Sequence, residues 1–235
     1  THTHTHTQDC FIFECTGCGA VVNFDATADL KRCTISNGPC MGLIVDGSST
    51  GTCTDCYITH NTDTNVHIIG KSCVTLQGCK CDLSKEGKGV CVEEEGSRLV
   101  MRDSCALGCG SFNAVVRAGS DEPSTLPGPV LELERVKLNG SCEVGLNVMG
   151  GKVTAVQCQI NDNGEGNVIV EGCVASPKVE LRECEACHSG NGCGLYVWSA
   201  GAFSRASSGT IRKNAKPITV VDRAVLELAD DCVLK

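Results

Sequence analysis

The chain opens Thr1-His2-Thr3-His4-Thr5-His6-Thr7, with three imidazoles spaced two residues apart. On an extended strand, side chains i and i+2 point the same way, so His2, His4 and His6 could share a zinc ion through their ring nitrogens. Glu93-Glu94-Glu95 is a cluster of hard oxygen donors of the kind calcium seeks. Cysteines stand at Cys-x-x-Cys spacing in Cys15/Cys18, Cys53/Cys56 and Cys184/Cys187, a spacing that zinc ribbons use twice. Asp230-Asp231 and Arg135-Val136-Lys137 offer paired carboxylates and cations. Tyr196 and Trp198 alternate with Leu195 and Val197, which predicts two aromatic rings side by side on an outward face, suited to a protein contact or to a sugar. Asn139-Gly140-Ser141 is a glycosylation sequon.

A repeat decides how these residues are read. Cys10, Cys33, Cys56, Cys79, Cys105, Cys158, Cys184 and Cys232 form a column with Val136 and Gly209 filling its two gaps, at steps of 22 to 31 residues. Two residues beyond each comes an apolar or small side chain: Ile12, Ile35, Ile58, Cys81, Leu107, Leu138, Ile160, Ala186, Ile211 and Leu234. A period of this size marks a solenoid whose coils bury their apolar side against one another. The column predicts a core ladder. Val179 and Leu181 alternate with charged residues, Cys184 and Ala186 follow after a bend, and Leu195 and Val197 make a third inward pair. Three short strands per coil describe a right-handed parallel β-helix of about ten coils. The third strand recurs at Leu43/Val45, Val66/Ile68, Val90/Val92, Leu146/Val148 and Val168/Val170. Gly42, Asn65, Gly89, Gly145, Asn167 and Gly194 precede these strands, and such residues suit a left-handed corner.

Cys33-Thr-Ile-Ser-Asn-Gly, Cys158-Gln-Ile-Asn-Asp-Asn-Gly and Thr210-Ile-Arg-Lys-Asn resemble the parallel β-helix repeat of the pectate-lyase-like superfamily. The resemblance covers essentially the whole chain and implies the fold. It leaves the function open, because that architecture hosts lyases, hydrolases, adhesins and spines. The hydrolase pattern of Asn-x-Asp, Asp-Asp, Gly-His-Gly and Arg-x-Lys is not assembled here. Asp230-Asp231 lies at the chain end, and Arg135/Lys137 lack partners.

In this register Thr5 and Thr7 face inward and the histidines outward, so the opening segment reads as an ordinary terminal strand and no metal is assigned. Glu93–Glu95 reads as a solvated acidic turn, and the Cys-x-x-Cys pairs follow from coil geometry. No cofactor is expected. A net charge of −8 argues against nucleic acid, and no apolar run reaches the ~20 residues a membrane helix needs. Twenty cysteines in 235 residues suit a disulfide-bearing, extracellular or cell-surface protein, with a reduced cytoplasmic scaffold as the alternative. The off-column cysteines, several of them in turns, are expected to be oxidised. Residues 1–235 are expected to form one β-helix, a segment of a longer chain, with insertion loops near 119–129 and 199–208. These features lead to a non-catalytic structural or adhesive module that associates with copies of itself or with other subunits. The alternative is a carbohydrate-active or carbohydrate-binding β-helix that takes glycans.

Overall fold

A computed structural model describes residues 3–119, 127–172, 176–189, 192–198, 201–214 and 216–234. The chain winds as a right-handed β-helix in which every pairing between neighbouring strands is parallel and joins one coil to the next. One face is a ten-stranded sheet running from His4–Gln8 to Val225–Leu228. A second is a nine-stranded sheet from Ala20–Val22 to Lys216–Val220. The third carries short strands such as Phe11–Phe13, Cys105–Leu107 and Glu185–Cys187, linked by single bridges such as Lys80 to Cys105. Alternation sets the core. Leu30, Cys53, Leu76, Met101, Leu133, Ala155 and Leu181 point inward from the ten-stranded sheet, and Val45, Ile68, Val92, Val116, Val148, Val170 and Val197 from the nine-stranded one.

Each coil turns on single left-handed residues. Before the column stand Asp9, Arg32, Asp55, Gly78, Asp103, Arg135, Gln157, Glu183 and Ser208, all with φ between 48° and 65°. A non-glycine residue there costs about 1–2 kcal/mol, a cost met by the strand pairing and burial on either side. The corner after the third face repeats the device at Asn37, His60, Asp162, His188 and Lys213.

Within the column, Cys33, Cys56, Cys79, Val136, Cys158 and Cys184 are buried, whereas Cys10 and Cys232 in the end coils are half-buried. The thiols reach the preceding coil: Cys33 Sγ donates to the Thr7 carbonyl at 3.4 Å, Cys79 to Cys53 at 3.3 Å and Cys184 to Ala155 at 3.3 Å. A small side chain with a weak donor fits this corner, where a methyl group would leave the carbonyl without that contact.

The column slips at one place. Cys105 is not in the ladder. Lys80 pairs with Cys105 and Cys105 with Lys137, so Ser104 occupies the register between Cys79 and Val136. Ser104 is 5% exposed, and Ala106 rather than Leu107 fills the core. A shift of one residue exchanges the inward and outward faces of a strand.

The glycines before the third strand serve a different purpose from the expected one. Gly42, Gly89, Gly145 and Gly194 are not among the left-handed residues. A Cβ on Gly42, Gly145 or Gly194 would stand 2.5–2.6 Å from the side-chain nitrogen of Asn61, Asn163 or Asn214. Those positions are held small by an amide that passes over them, buried at Asn61 and Asn163 and half-buried at Asn214.

The expected disulfides are not formed either: all nineteen described cysteines are thiols, and Cys173 lies outside the described residues. Many sit where stacking buries them, as at Cys53, Cys81, Cys91, Cys109 and Cys187. Of the two expected loops, residues 120–126 and 199–200 lie outside the described residues. Phe203–Ser207 is a strand of the ten-stranded sheet rather than loop.

Candidate functional site

The outer face of the nine-stranded sheet gathers the groups best able to do chemistry. His67 sits between inward Val66 and Ile68, and Cys91 between Val90 and Val92, so both side chains point away from the core. Their strands pair with His67 beside Cys91, and the row continues through Val115, Asn147, Ile169 and Tyr196. A flanking row two residues on holds Glu93, Arg117 and Met149, then Glu171 beside Trp198. From His67 to Tyr196 the face crosses six strands, about 24 Å at the usual strand spacing.

At one end of this face lies a sheltered polar cluster. His67 Nε2 stands 3.3 Å from Glu93 Oε2, each side chain 13% exposed. Nε2 is buried, and its approach to the carboxylate lacks hydrogen-bond geometry. Cys91 Sγ donates to Glu93 Oε1 at 3.2 Å, and Arg117 Nη2 lies 2.8 Å from the same oxygen. His67 Nδ1 meets Met41 Sδ at 3.3 Å. The facing imidazole, then the Cys91 thiol and Arg117, draw the Glu93 carboxyl below its ordinary value against the opposing effect of burial, and the pull of the imidazole requires a positive charge on that side of the carboxylate. Burial, reinforced by the Glu93 charge, keeps Cys91 a thiol. Further along, Asn147 is 6% exposed with an Oδ1 that finds no hydrogen-bond partner, and burial raises the Glu171 carboxyl.

At the far end of the face are Tyr196 and Trp198. Tyr196 is half-buried, whereas Trp198 is 42% exposed and its Nε1 donates to Asp222 Oδ2 at 2.6 Å. The pair stands outward beside inward Leu195 and Val197.

The other sequence candidates lie elsewhere. His4 Nε2 and His6 Nδ1 each come within 3.1 Å of Asp29 Oδ2 on the adjacent strand, with both histidines exposed; His2 lies outside the described residues. Asn139 is tied into a corner, its Oδ1 accepting from the Asn161 N–H at 2.9 Å, and Ser141 is buried against Asn163. Asp231 receives the Ser208 N–H at 2.9 Å, and Arg135 clamps Asp103. The acidic run divides: Glu94 takes the left-handed turn, while Glu93 ends the strand and faces His67. Reading Glu93 as part of a solvated turn was therefore wrong for that residue. The His67–Cys91–Glu93 cluster was missed, although each partner is the residue beside an inward valine or isoleucine already aligned in the repeat.

The sequence matches the family profile described as a right handed beta helix region over residues 18–214. No curated protein matches the sequence. Among solved structures, a point variant of the periplasmic alginate epimerase AlgG is similar at 11% identity, covering 92% of this chain and 62% of its own, with a TM-score of 0.61. The Agl-KA catalytic domain is similar at 11% identity over 98% of this chain and 46% of its own, TM-score 0.68. The A-module of the Azotobacter vinelandii mannuronan C-5 epimerase AlgE6 is 13% identical over 95% of this chain and 75% of its own, TM-score 0.51. The chain thus spans less than two thirds of the first of these relatives. Identities this low establish the fold alone. The expectation of a non-catalytic structural or adhesive module is corrected here, because the solved structures of this architecture include an alginate epimerase and a mannuronan C-5 epimerase, which favours the carbohydrate-active alternative. The carbohydrate-active alternative is the reading carried forward.

Proposed function

The chain belongs to the right-handed β-helix family, and on that premise we propose that it is a carbohydrate-active protein that lays an extended polysaccharide along the outer face of its nine-stranded sheet. One observation carries the reading: a row of outward positions with an imidazole–carboxylate–guanidinium cluster at one end and two aromatic rings at the other, with Cys91, Val115 and Asn147 buried between them. Tyr196 and the exposed Trp198 stack against pyranose rings. Arg117, a planar donor, engages a substrate hydroxyl or carboxylate while Glu93 orients it. His67 closes the other side of the Glu93 carboxylate. The alginate and mannuronan epimerases of the same fold make a uronate-containing chain the first substrate class to test.

Glu93 and Glu171 do not form the carboxylate pair of a hydrolase. Glu93 and Glu171 lie three strands apart, about 14 Å by strand spacing, whereas glycosidases hold their two carboxyl groups about 5–9.5 Å apart. An extracytoplasmic location fits the periplasmic relative.

Trp198 is the chain's single tryptophan, so its emission reports this face directly. Titration with alginate, mannuronan and neutral glucans is expected to shift the emission for at least one polymer. Trp198→Ala should weaken that binding at least tenfold, about 1.4 kcal/mol. Emission indifferent to every polymer, together with pull-down onto insoluble glycans that is unchanged in Trp198→Ala, would defeat the proposal.

A further inference from the structure

The His67–Cys91–Glu93 cluster poses an electrostatic problem that its neighbours do not solve. Met41 Sδ lies 3.3 Å from His67 Nδ1 and is a weak acceptor. It can only accept, so that contact is a hydrogen bond only when the ring proton is on Nδ1. In that tautomer Nε2 carries a lone pair, buried and without a hydrogen-bond partner, 3.3 Å from the carboxylate oxygen Glu93 Oε2. Two acceptors facing at that distance repel unless something positive lies between them: a proton, which makes His67 an imidazolium, or a metal ion.

The rest of the cluster favours the metal. His67 Nε2 or Nδ1, Cys91 Sγ and a Glu93 oxygen all lie within 4.8 Å of one another. A nitrogen, a sulfur and an oxygen ligand suit a borderline-soft divalent ion rather than calcium or magnesium, which prefer oxygen throughout. The supporting contacts also resemble those around a built metal centre. Ligating histidines donate their second ring N–H to an acceptor, here Met41, and ligating carboxylates are held by a further hydrogen-bonding group, here Arg117 on Glu93 Oε1. The three ligands come from two adjacent strands of a rigid sheet, paired with His67 beside Cys91.

We propose that His67 Nε2, Cys91 Sγ and Glu93 bind one zinc ion, with the fourth tetrahedral position left to water or substrate. Three protein ligands with one open position is the arrangement of a catalytic rather than a structural zinc site. Binding displaces the Cys91 proton to solvent, so one proton is released for each ion bound. The inference goes beyond the glycan reading and does not need it, since zinc uptake is measured with no polysaccharide present.

The test uses the whole chain, reduced and stripped of metal by a chelator, then titrated with Zn²⁺ against a chromophoric competitor. Nineteen other cysteines are present, so the sites must be separated by substitution. One tight equivalent is expected, lost by at least a hundredfold in affinity in Cys91→Ser and in His67→Gln, and retained in the Cys18→Ser/Cys40→Ser double variant. Co²⁺ added to the unsubstituted protein should give the visible absorption of a tetrahedral ion and a charge-transfer band for a single thiolate. This second readout stands even if a variant misfolds. The proposal is overturned by a cobalt spectrum with several thiolates or none, by tight zinc that survives both Cys91→Ser and His67→Gln, or by an equivalent that disappears in the Cys18/Cys40 variant.

Discussion

Asn113 and Asn163, on coils two apart, meet through the gap left by Gly145: Asn113 Nδ2 donates to Asn163 Oδ1 at 3.0 Å, with both side chains fully buried. Asn163 also accepts the Ser141 N–H at 3.0 Å and donates to Asn167 Oδ1 at 2.9 Å, and Asn167 in turn donates to Asn214 at 3.0 Å. This amide ladder satisfies the polar corner that every coil must bury, and it leaves no room for a side chain on the coil between. Gly194 stands in the same relation to Asn214.

Gly145→Ala tests that relation. Its Cβ would lie 2.5 Å from Asn163 Nδ2 and 2.6 Å from Ile160 Cγ2, an overpacking expected to cost about 1–3 kcal/mol. Urea unfolding should show a lower midpoint at unchanged slope. An unshifted midpoint would mean the ladder yields freely.

Ser104 holds the corner where the thiol column breaks. Its Oγ accepts the Cys79 N–H at 3.0 Å and donates to the Arg102 carbonyl at 2.7 Å. Ser104→Ala strands that buried N–H and is expected to cost about 1–3 kcal/mol. Cys105→Ser, on the outward side, should fall within about 0.5 kcal/mol of the parent. Equal losses in the two variants would contradict the register.

Arg135 grips Asp103 through Nε at 2.6 Å and Nη2 at 3.0 Å, and with Gln77 it draws the carboxyl from 3.8 down to about 2. A depressed carboxyl stabilises the fold above its unfolded pKa, and that contribution fades as pH falls through the folded value. The window here runs from about 4 to about 2. In Arg135→Met, the Asp103 resonance followed by NMR should titrate higher, toward but short of 3.8 because Gln77 and Arg102 remain, and added salt should narrow the difference because the pair is exposed. A midpoint unmoved by the substitution would assign the shift to another cause.

Cys18 and Cys40 bring their sulfurs to 3.3 Å across neighbouring coils. Oxidised glutathione should convert this pair to a disulfide first, the two thiols giving up two electrons and two protons to the oxidant. Closing a loop of about 22 residues should add roughly 3 kcal/mol. Peptide mapping under non-reducing conditions should recover the Cys18–Cys40 crosslink, and a first crosslink elsewhere would refute the assignment.

How much of this was legible beforehand depended on whether a feature repeats within a coil or arises between coils. Alternation exposed the inward residues of each strand, and with them the outward stance of Tyr196 and Trp198, because side-chain direction on a strand follows from position alone. The thiol column was visible for the same reason, and it failed at Cys105 where coil length changes. Nothing local distinguishes a 25-residue step from a 26-residue one, and only the pairing of Lys80 with Cys105 and of Cys105 with Lys137 settles it.

The sequence by itself determined the repeat, the three faces and the parity of their strands, since these rest on periodicity and on the burial of apolar side chains. The tertiary structure decided everything that joins one coil to another. It placed His67 beside Cys91 and Glu93 across 24 and 26 residues, set Asn113 against Asn163 over Gly145, and brought the Cys18 and Cys40 sulfurs to 3.3 Å. Such contacts depend on register between stacked coils, a quantity that the hydrogen-bond ladder fixes in space and that no single coil's residues encode.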